Sequence, residues 1–457
     1  MAKQLKFALL SVCIFSFFWS CQEPVNKPEP YPNSSLTLEK LDVNCTEAWL
    51  KVSLSRVDSP ATQSIPIILT RDGEAIQSFS FTPPETLVVD AGLEPAHGYQ
   101  YQAQRQSVHD NKIIANSNTL SVNTLDTTSH DFIWTIDTLG SYGSYFMDVA
   151  IIDENNIWAV GNIVVPDPDS SFNGTGWREY NAARWNGDEW ELMGIYSSTL
   201  DLYAIWYIAE DDIWVLGSYP IHWNGEDWTQ YHLTNMGIIP GGLSNGAIWG
   251  SASDDVYFVG GHGRIVRYDG SGFTRLESGT EVDLKDITGT VDGEHVFVSG
   301  WNQSGGNWSS PLLYIQGNLV DVIYESTYPW GNQTDWGNIE AIEMIGHHLF
   351  LATWGRDWID YNFTTGSIDE HDKHSLPGFQ DLQITTSAAG ELNNIVAFSD
   401  TGEMLHFNGL TWHKDNWIRQ QLNFQPRQVE IKGRVVVAAG RWYGYWRGII
   451  AQGQQSG

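Results

Sequence analysis

The sequence predicts an all-β chain, a small β-sandwich domain followed by a β-propeller of about seven four-stranded blades. Three observations predict it. A four-strand unit recurs through residues 131–457. The chain holds 22 Trp, 19 Tyr and 18 Phe against 17% charged residues, a balance that favours sheet over helix or disorder. Residues 36–126 alternate polar and apolar in short runs that lack the repeat.

The unit is clearest from Ala247 to Phe273, AIWGSASDDVYFVGGHGRIVRYDGSGF. A strand, an Asp-rich turn (Asp254, Asp255), a second strand, a Gly-rich turn, a third strand and an Asp269-Gly270 turn into a fourth strand follow in order. A lone meander of this kind cannot bury both faces, so copies must stack. Echoes begin at Asp148, Ala204, Asp286, Ile339, Leu382 and Gln428. Their period of roughly 40 to 50 residues is that of propeller blades. The last copy supplies three strands, and Asp131–Leu139 is predicted to return as its fourth, leaving no open edge. Six or eight blades is the alternative count.

The paired signature, Asp-Asp-Val-Tyr-Phe-Val-Gly in one strand and His-Trp-Asn-Gly-x-x-Trp in a following hairpin, resembles bacterial β-propellers with degenerate Asp-box-type repeats. That resemblance implies fold and says little of function, because such propellers serve binding, scaffolding and catalysis alike. In residues 36–126, Leu93-Glu94-Pro95-Ala96-His97-Gly98-Tyr99 resembles the tyrosine corner of fibronectin type III domains. The resemblance implies a spacer or docking module in which the Tyr99 hydroxyl donates to nearby backbone. A hairpin is predicted at Arg71-Asp72-Gly73-Glu74.

Residues 1–21 read as a targeting segment: Lys3 and Lys6 precede an apolar run, Phe7 to Trp19, too short to span a bilayer. Ser20 before Cys21 resembles a bacterial lipoprotein signal, which implies lipidation of Cys21 and an outer-membrane lipoprotein of the cell envelope, on the surface or periplasmic side. Phe18 and Trp19 are bulkier than usual there, so plain secretion is the alternative. Residues 22–35 carry Pro24, Pro28, Pro30 and Pro32, a semi-rigid tether. Of three cysteines, Cys13 lies in the leader and Cys21 is the expected anchor, which leaves Cys45 alone, so no internal disulfide and no Cys-x-x-Cys metal or redox pair is available.

A formal net charge of −31 repels phosphate backbones, which argues against nucleic-acid partners and against membrane contact other than through a lipid anchor. A monomer without cofactor or metal is expected. The Asp211-Asp212 and Asp254-Asp255 pairs invite a calcium or acid/base role, yet they sit at equivalent places before second strands, where Asp caps tight turns. The hairpins at Trp185, Trp223 and Phe407 are blade-fixing in the same way, with Trp190, Trp228 and Trp412 packing between blades. Asp369-Glu370-His371-Asp372-Lys373-His374 matches no metal spacing and reads as a loop, and His347-His348 reads as a turn. No Gly-x-Ser-x-Gly, phosphate loop or His-Glu-x-x-His is present.

Function is sought where the repeat is broken. Insertions at Asn162 to Asn181, Trp301 to Ser310, Tyr324 to Asn338, Trp354 to Trp358 and Arg441 to Arg447 all fall on the face bearing the blade-to-blade connections. Large aromatics in loops have little packing need and suit stacking on sugars or peptide side chains. The expected ligand-binding residues are Trp301, Trp308, Trp330, Trp336, Trp354, Arg356, Trp358 and Trp442, for a glycan or protein ligand without catalysis. The alternative is a sialidase-like glycan hydrolase or lyase, with Arg264, Arg356 and Arg441 meeting a carboxylate.

Overall fold

The computed structural model describes residues 28–57, 61–169, 174–304, 307–328, 335–354, 357–371 and 382–456. The chain forms two compact units. One takes in residues 52–86 and 100–120 with the segment ending at Leu38; the other takes in 39–51, 87–99 and 121–457.

In the first unit, strands Ile65–Arg71 and Glu74–Phe81 pair from Ile65↔Phe81 to Arg71↔Glu74. Between them Asp72 (φ 53°) and Gly73 (φ 85°) supply the left-handed backbone a two-residue hairpin requires. Ile65, Ile67, Leu69, Tyr101 and Ala103 are its buried apolar side chains. Arg105 is buried as well and donates to the carbonyls of Pro30 and Tyr31 and to the Ser34 hydroxyl. The end of the Pro-rich tether is therefore held down, because a buried guanidinium must find acceptors.

In the second unit, the Glu94 N–H donates to the Tyr99 hydroxyl at 2.9 Å, so in this bond the hydroxyl accepts where donation is expected. From Ser121 onward the unit is a β-propeller. Among the described residues from Ser121 onward there are seven antiparallel sheets of four or more strands; six run as meanders and the seventh takes its fourth strand from Phe132–Leu139. Their first strands are Tyr145–Asp153, Ala204–Ala209, Ile248–Ala252, Leu284–Gly289, Ile339–Ile345, Ile384–Glu391 and Phe424–Lys432, here blades one to seven. Each first strand contacts the next, and that of blade seven contacts that of blade one, so the ring is closed. An apolar cluster fills each interface between consecutive blades. Phe132–Leu139 completes blade seven, pairing from Gly448↔Leu139 to Gln455↔Phe132. First and last parts of the propeller thus share one sheet and neither leaves an edge.

The repeat motifs take architectural places. In the hairpins between third and fourth strands, Asn186, Asn224, Asp269 and Asn408 accept the N–H groups two and three residues on. The glycine that follows in blade two, Gly225, has φ +89°, and a Cβ there would lie 2.9 Å from the Cβ of Asp211, so glycine is required twice over. Asp212 meets His222 Nε2 at 2.7 Å and Asp255 meets Arg267 at 2.8 Å, cross-strand pairs echoed by Asn156 with Arg184 and Asn394 with His406. The Asp pairs hold strands two and three together. Trp190 donates to Asp137 of blade seven at 3.1 Å, Trp228 lies edge-on to Trp158 of blade one, and Trp412 edge-on to Trp358 of blade five.

Three expectations change. The insertion Asn162 to Asn181 is no irregular loop: beyond a bulge, Ile163↔Tyr180 to Pro166↔Trp177 continue the second and third strands of blade one as a ribbon. Asn302–Ser304 and Asn307 onward do the same in blade four. His348 opens the second strand of blade five, buried, with Nδ1 2.8 Å from Asp360; only His347 is in the turn.

Candidate functional site

Each first strand starts at the face carrying the blade-to-blade connections and the hairpins between second and third strands. At that face lies a funnel of about 840 Å³. Its wall joins the starts of first strands (Tyr145, Lys285, Glu340, Arg427) to the second-to-third hairpins (His262, Arg264, Arg441). The insertion-bearing face is therefore also the face with the wide mouth. A further cavity of about 440 Å³ is lined by later parts of all seven first strands and shares Asp148 and Asp286 with the funnel, so the two are successive stretches of one channel.

Cations gather at the mouth. Lys285 Nζ lies 3.3 Å from the ring centroid of Trp301, and burial lowers its pKa, with Arg427 adding to the lowering against Glu340 and Asp283. Burial and then Arg427 likewise lower Arg441, whose Nε donates to Gln425 at 2.9 Å and whose guanidinium lies 4.2 Å from the Trp446 ring. Among the described residues Lys285, Arg427 and Arg441 form no ion pair. Burial pushes the Glu340 carboxyl up to about 7, against the pull of Lys285 and the Trp301 indole N–H. Burial, with Asp201 next, pushes Tyr145 up to about 12.

Beside these cations stands an aromatic wall. Trp301, Trp308 and Trp354 form a triangle with centroids 6.1, 5.6 and 6.2 Å apart, all half-buried. The remaining expected residues scatter. Trp336 stacks on Tyr324 at 4.1 Å and packs against the cluster between blades four and five. Trp442 packs on Tyr445 and on the cluster between blades six and seven. Trp358 is a correction: it is buried between blades five and six, because the third strand that starts at Asp357 turns its ring toward Phe350 and Trp412. Trp330 and Arg356 lie outside the described residues, as do Asp372, Lys373 and His374.

Sequence reasoning missed the channel's charges. Asp148 and Asp286 each accept the N–H of the following residue and one from the next blade, Ile205 and Ile342 respectively. Glu430 accepts from Ile151, across the closing interface. First strands are inner edges of their blades, and these acids give their free N–H groups a partner. Burial raises all of them, Asp286 and Glu430 to about 7, and Asp148 and Glu343 well above the usual carboxylate range. The signal was available as charges set inside apolar first strands: Asp-Val-Ala-Ile, Leu-Lys-Asp-Ile, Ile-Glu-Ala-Ile-Glu and Val-Glu-Ile-Lys.

No protein-family model matches the chain, and no curated protein does. Solved structures similar to it include YCF48 bound to D1 peptide, at 15% identity and a TM-score of 0.45, covering 72% of this chain and all of that one. YCF48 from Cyanidioschyzon merolae is 13% identical with a TM-score of 0.48, covering 70% of this chain and 98% of that one.

Proposed function

We propose that the propeller is a binding module whose ligand, a protein segment carrying acidic groups, seats in the funnel on the insertion-bearing face. The observation that carries this is the set of Lys285, Arg427 and Arg441 around the cavity, mutually repelling and outside any ion pair among the described residues. In a chain of net charge −31, cations that repel one another and stand outside ion pairs are stabilised when a ligand brings a further anion. The adjoining Trp301, Trp308 and Trp354 supply apolar area for the rest of the ligand. The same three rings support a second reading, a glycan stacked beside the cations. Against catalysis, both tyrosines that line the funnel, Tyr145 and Tyr203, are harder to ionise than usual because of burial, the reverse of what a nucleophile needs.

Acidic and neutral peptides and a glycan panel, offered to the purified protein and scored for both binding and cleavage, test this. Acidic peptides are expected to bind, uncleaved, and Arg427→Gln with Arg441→Gln should weaken them by about tenfold or more. Equal binding by the double variant, or binding by glycans alone, rejects the acidic-ligand reading.

In the cell, our reading is a lipoprotein of the bacterial envelope held through Cys21, with residues 36–126 as a fibronectin type III-like spacer. What supports it is the short apolar run before Ser20-Cys21 and the Pro-rich stretch after it. Cys21→Ala should move the protein from the membrane to the soluble fraction; unchanged fractionation excludes the anchor.

A further inference from the structure

Below the mouth the channel reverses its chemistry. Asp148, Asp286, Glu343 and Glu430 line the 440 Å³ cavity, and Lys432 is the one ammonium among them. We propose that this compartment is a second site, separate from the funnel, that binds a slim organic cation: a primary ammonium on an alkyl chain.

Architecture accounts for three of the four acids and leaves one over. Asp148, Asp286 and Glu430 each receive an N–H from the neighbouring blade. The side chains of Thr288 and Thr386 do the same for Met344 and Val429. Among the described residues Glu343 receives none from blade six. In the wall of the same cavity, on the first strand of blade six, the Ser387 side chain is only 4% exposed and its Oγ has no hydrogen-bond partner among the described residues. A buried hydroxyl without a partner, and a carboxyl bonded among the described residues only by the N–H of the residue that follows it, leave acceptor capacity beside the cavity that a donor-rich ligand would fill.

The wall also selects the kind of cation. Among the described residues no three acidic or histidine side chains are grouped closely enough to hold one metal ion. The carboxyls are instead spread around the channel, which suits a cation of some length. An ammonium is already seated here: Lys432 Nζ donates to the carbonyls of Ile151 and Ile152 and lies 5.5 Å from the Tyr207 ring. Trp206, Ile248 and Trp249 in the same wall offer apolar contact for methylene groups. Burial raises Asp286 and Glu430 to about 7, so a bound ammonium must displace protons near neutrality.

Calorimetry of the whole protein with 1,4-diaminobutane, at pH 6 and pH 8.5 and in buffers of different ionisation heat, tests the proposal. Saturable binding is expected, about tenfold or more tighter at the higher pH and with proton release near neutrality. Glu343→Gln should weaken it by about tenfold. A tetrapeptide with one lysine forms a second arm: saturation by the peptide alone keeps the ammonium chemistry and assigns its source to a protein side chain. Absence of saturable heat from both at pH 8.5, or saturation by Ca²⁺ instead, overturns the proposal. So does diamine binding that Glu343→Gln leaves unchanged, which would mark attraction to the acidic surface only. If Glu343→Gln does not fold, the pH dependence and proton release of the unsubstituted protein decide.

Discussion

Two aromatic clusters of similar composition do different work. Between blades two and three, Trp214 is fully buried, stacked on His222 at 4.1 Å and ringed by Phe258, Tyr268, Tyr231 and Phe273 at 5.1 to 6.3 Å. At the funnel, Trp301, Trp308 and Trp354 lie as close to one another but stay half-exposed, with an ammonium on one ring. The difference is position in the blade. Trp214 lies mid-sheet on a face covered by the next blade, whereas the other three stand at strand ends and turns, where nothing in the repeat covers them. Ring packing alone does not separate core from site; what closes over the rings does.

The largest effect that would sharpen this contrast is on stability. Trp214→Ala leaves a cavity no neighbour can fill and should cost about 3–5 kcal/mol. Trp301→Ala should cost less, about 1–2 kcal/mol, since its ring is only partly buried, while weakening any funnel ligand. Thermal denaturation of both variants measures this. If Trp301→Ala proves the more destabilising, the tryptophan triangle beside the funnel is core and the division fails.

How much of this was legible in the sequence follows from what repeats. The ring and its closing strand could be read because Asp-Asp, Trp-Asn-Gly and alternating apolar residues recur at fixed offsets, and a repeat that works once per blade is visible by comparison within the chain. The face that bears the funnel could be picked out as the face where the repeat breaks. Individual site residues were less so. Trp358 sits beside an insertion in sequence, yet one residue of strand alternation turns it into the blade interface, a distinction that needs the register Ala352↔Trp358. Lys285, Arg427 and the channel acids were overlooked because they are scattered among the apolar residues of strands that look like core. Only the closing of the ring brings strands 284–289 and 424–432, far apart in sequence, around one axis.

The smaller effect is on pH dependence, where the two clusters should respond with opposite sign. Next to Trp214, burial tends to raise Asp212, but hydrogen bonds from His222 and Ser253 outweigh it and its pKa is lowered. Its contribution is therefore complete above the unfolded carboxylate pKa of roughly 4 and is lost as pH falls through the folded value. Beside Trp301, Glu340 is raised to about 7. Folded protein then holds a proton that unfolded chain has released, so its contribution is complete below roughly pH 4.5 and fades as pH rises to 7. Asp286 and Glu430, both raised to about 7, add to that same slope. Glu340→Gln should flatten it by up to one proton, at most about 1.4 kcal/mol per pH unit, and leave the acid limb below pH 4 unchanged. Asp212→Asn should do the reverse, softening the acid limb and sparing the slope from pH 5 to 7. Melting temperatures of the three proteins from pH 3 to 8 read both limbs, and a Glu340→Gln profile parallel to that of the unsubstituted protein between pH 5 and 7 would show that no titrating carboxyl stands at the aromatic wall of the funnel.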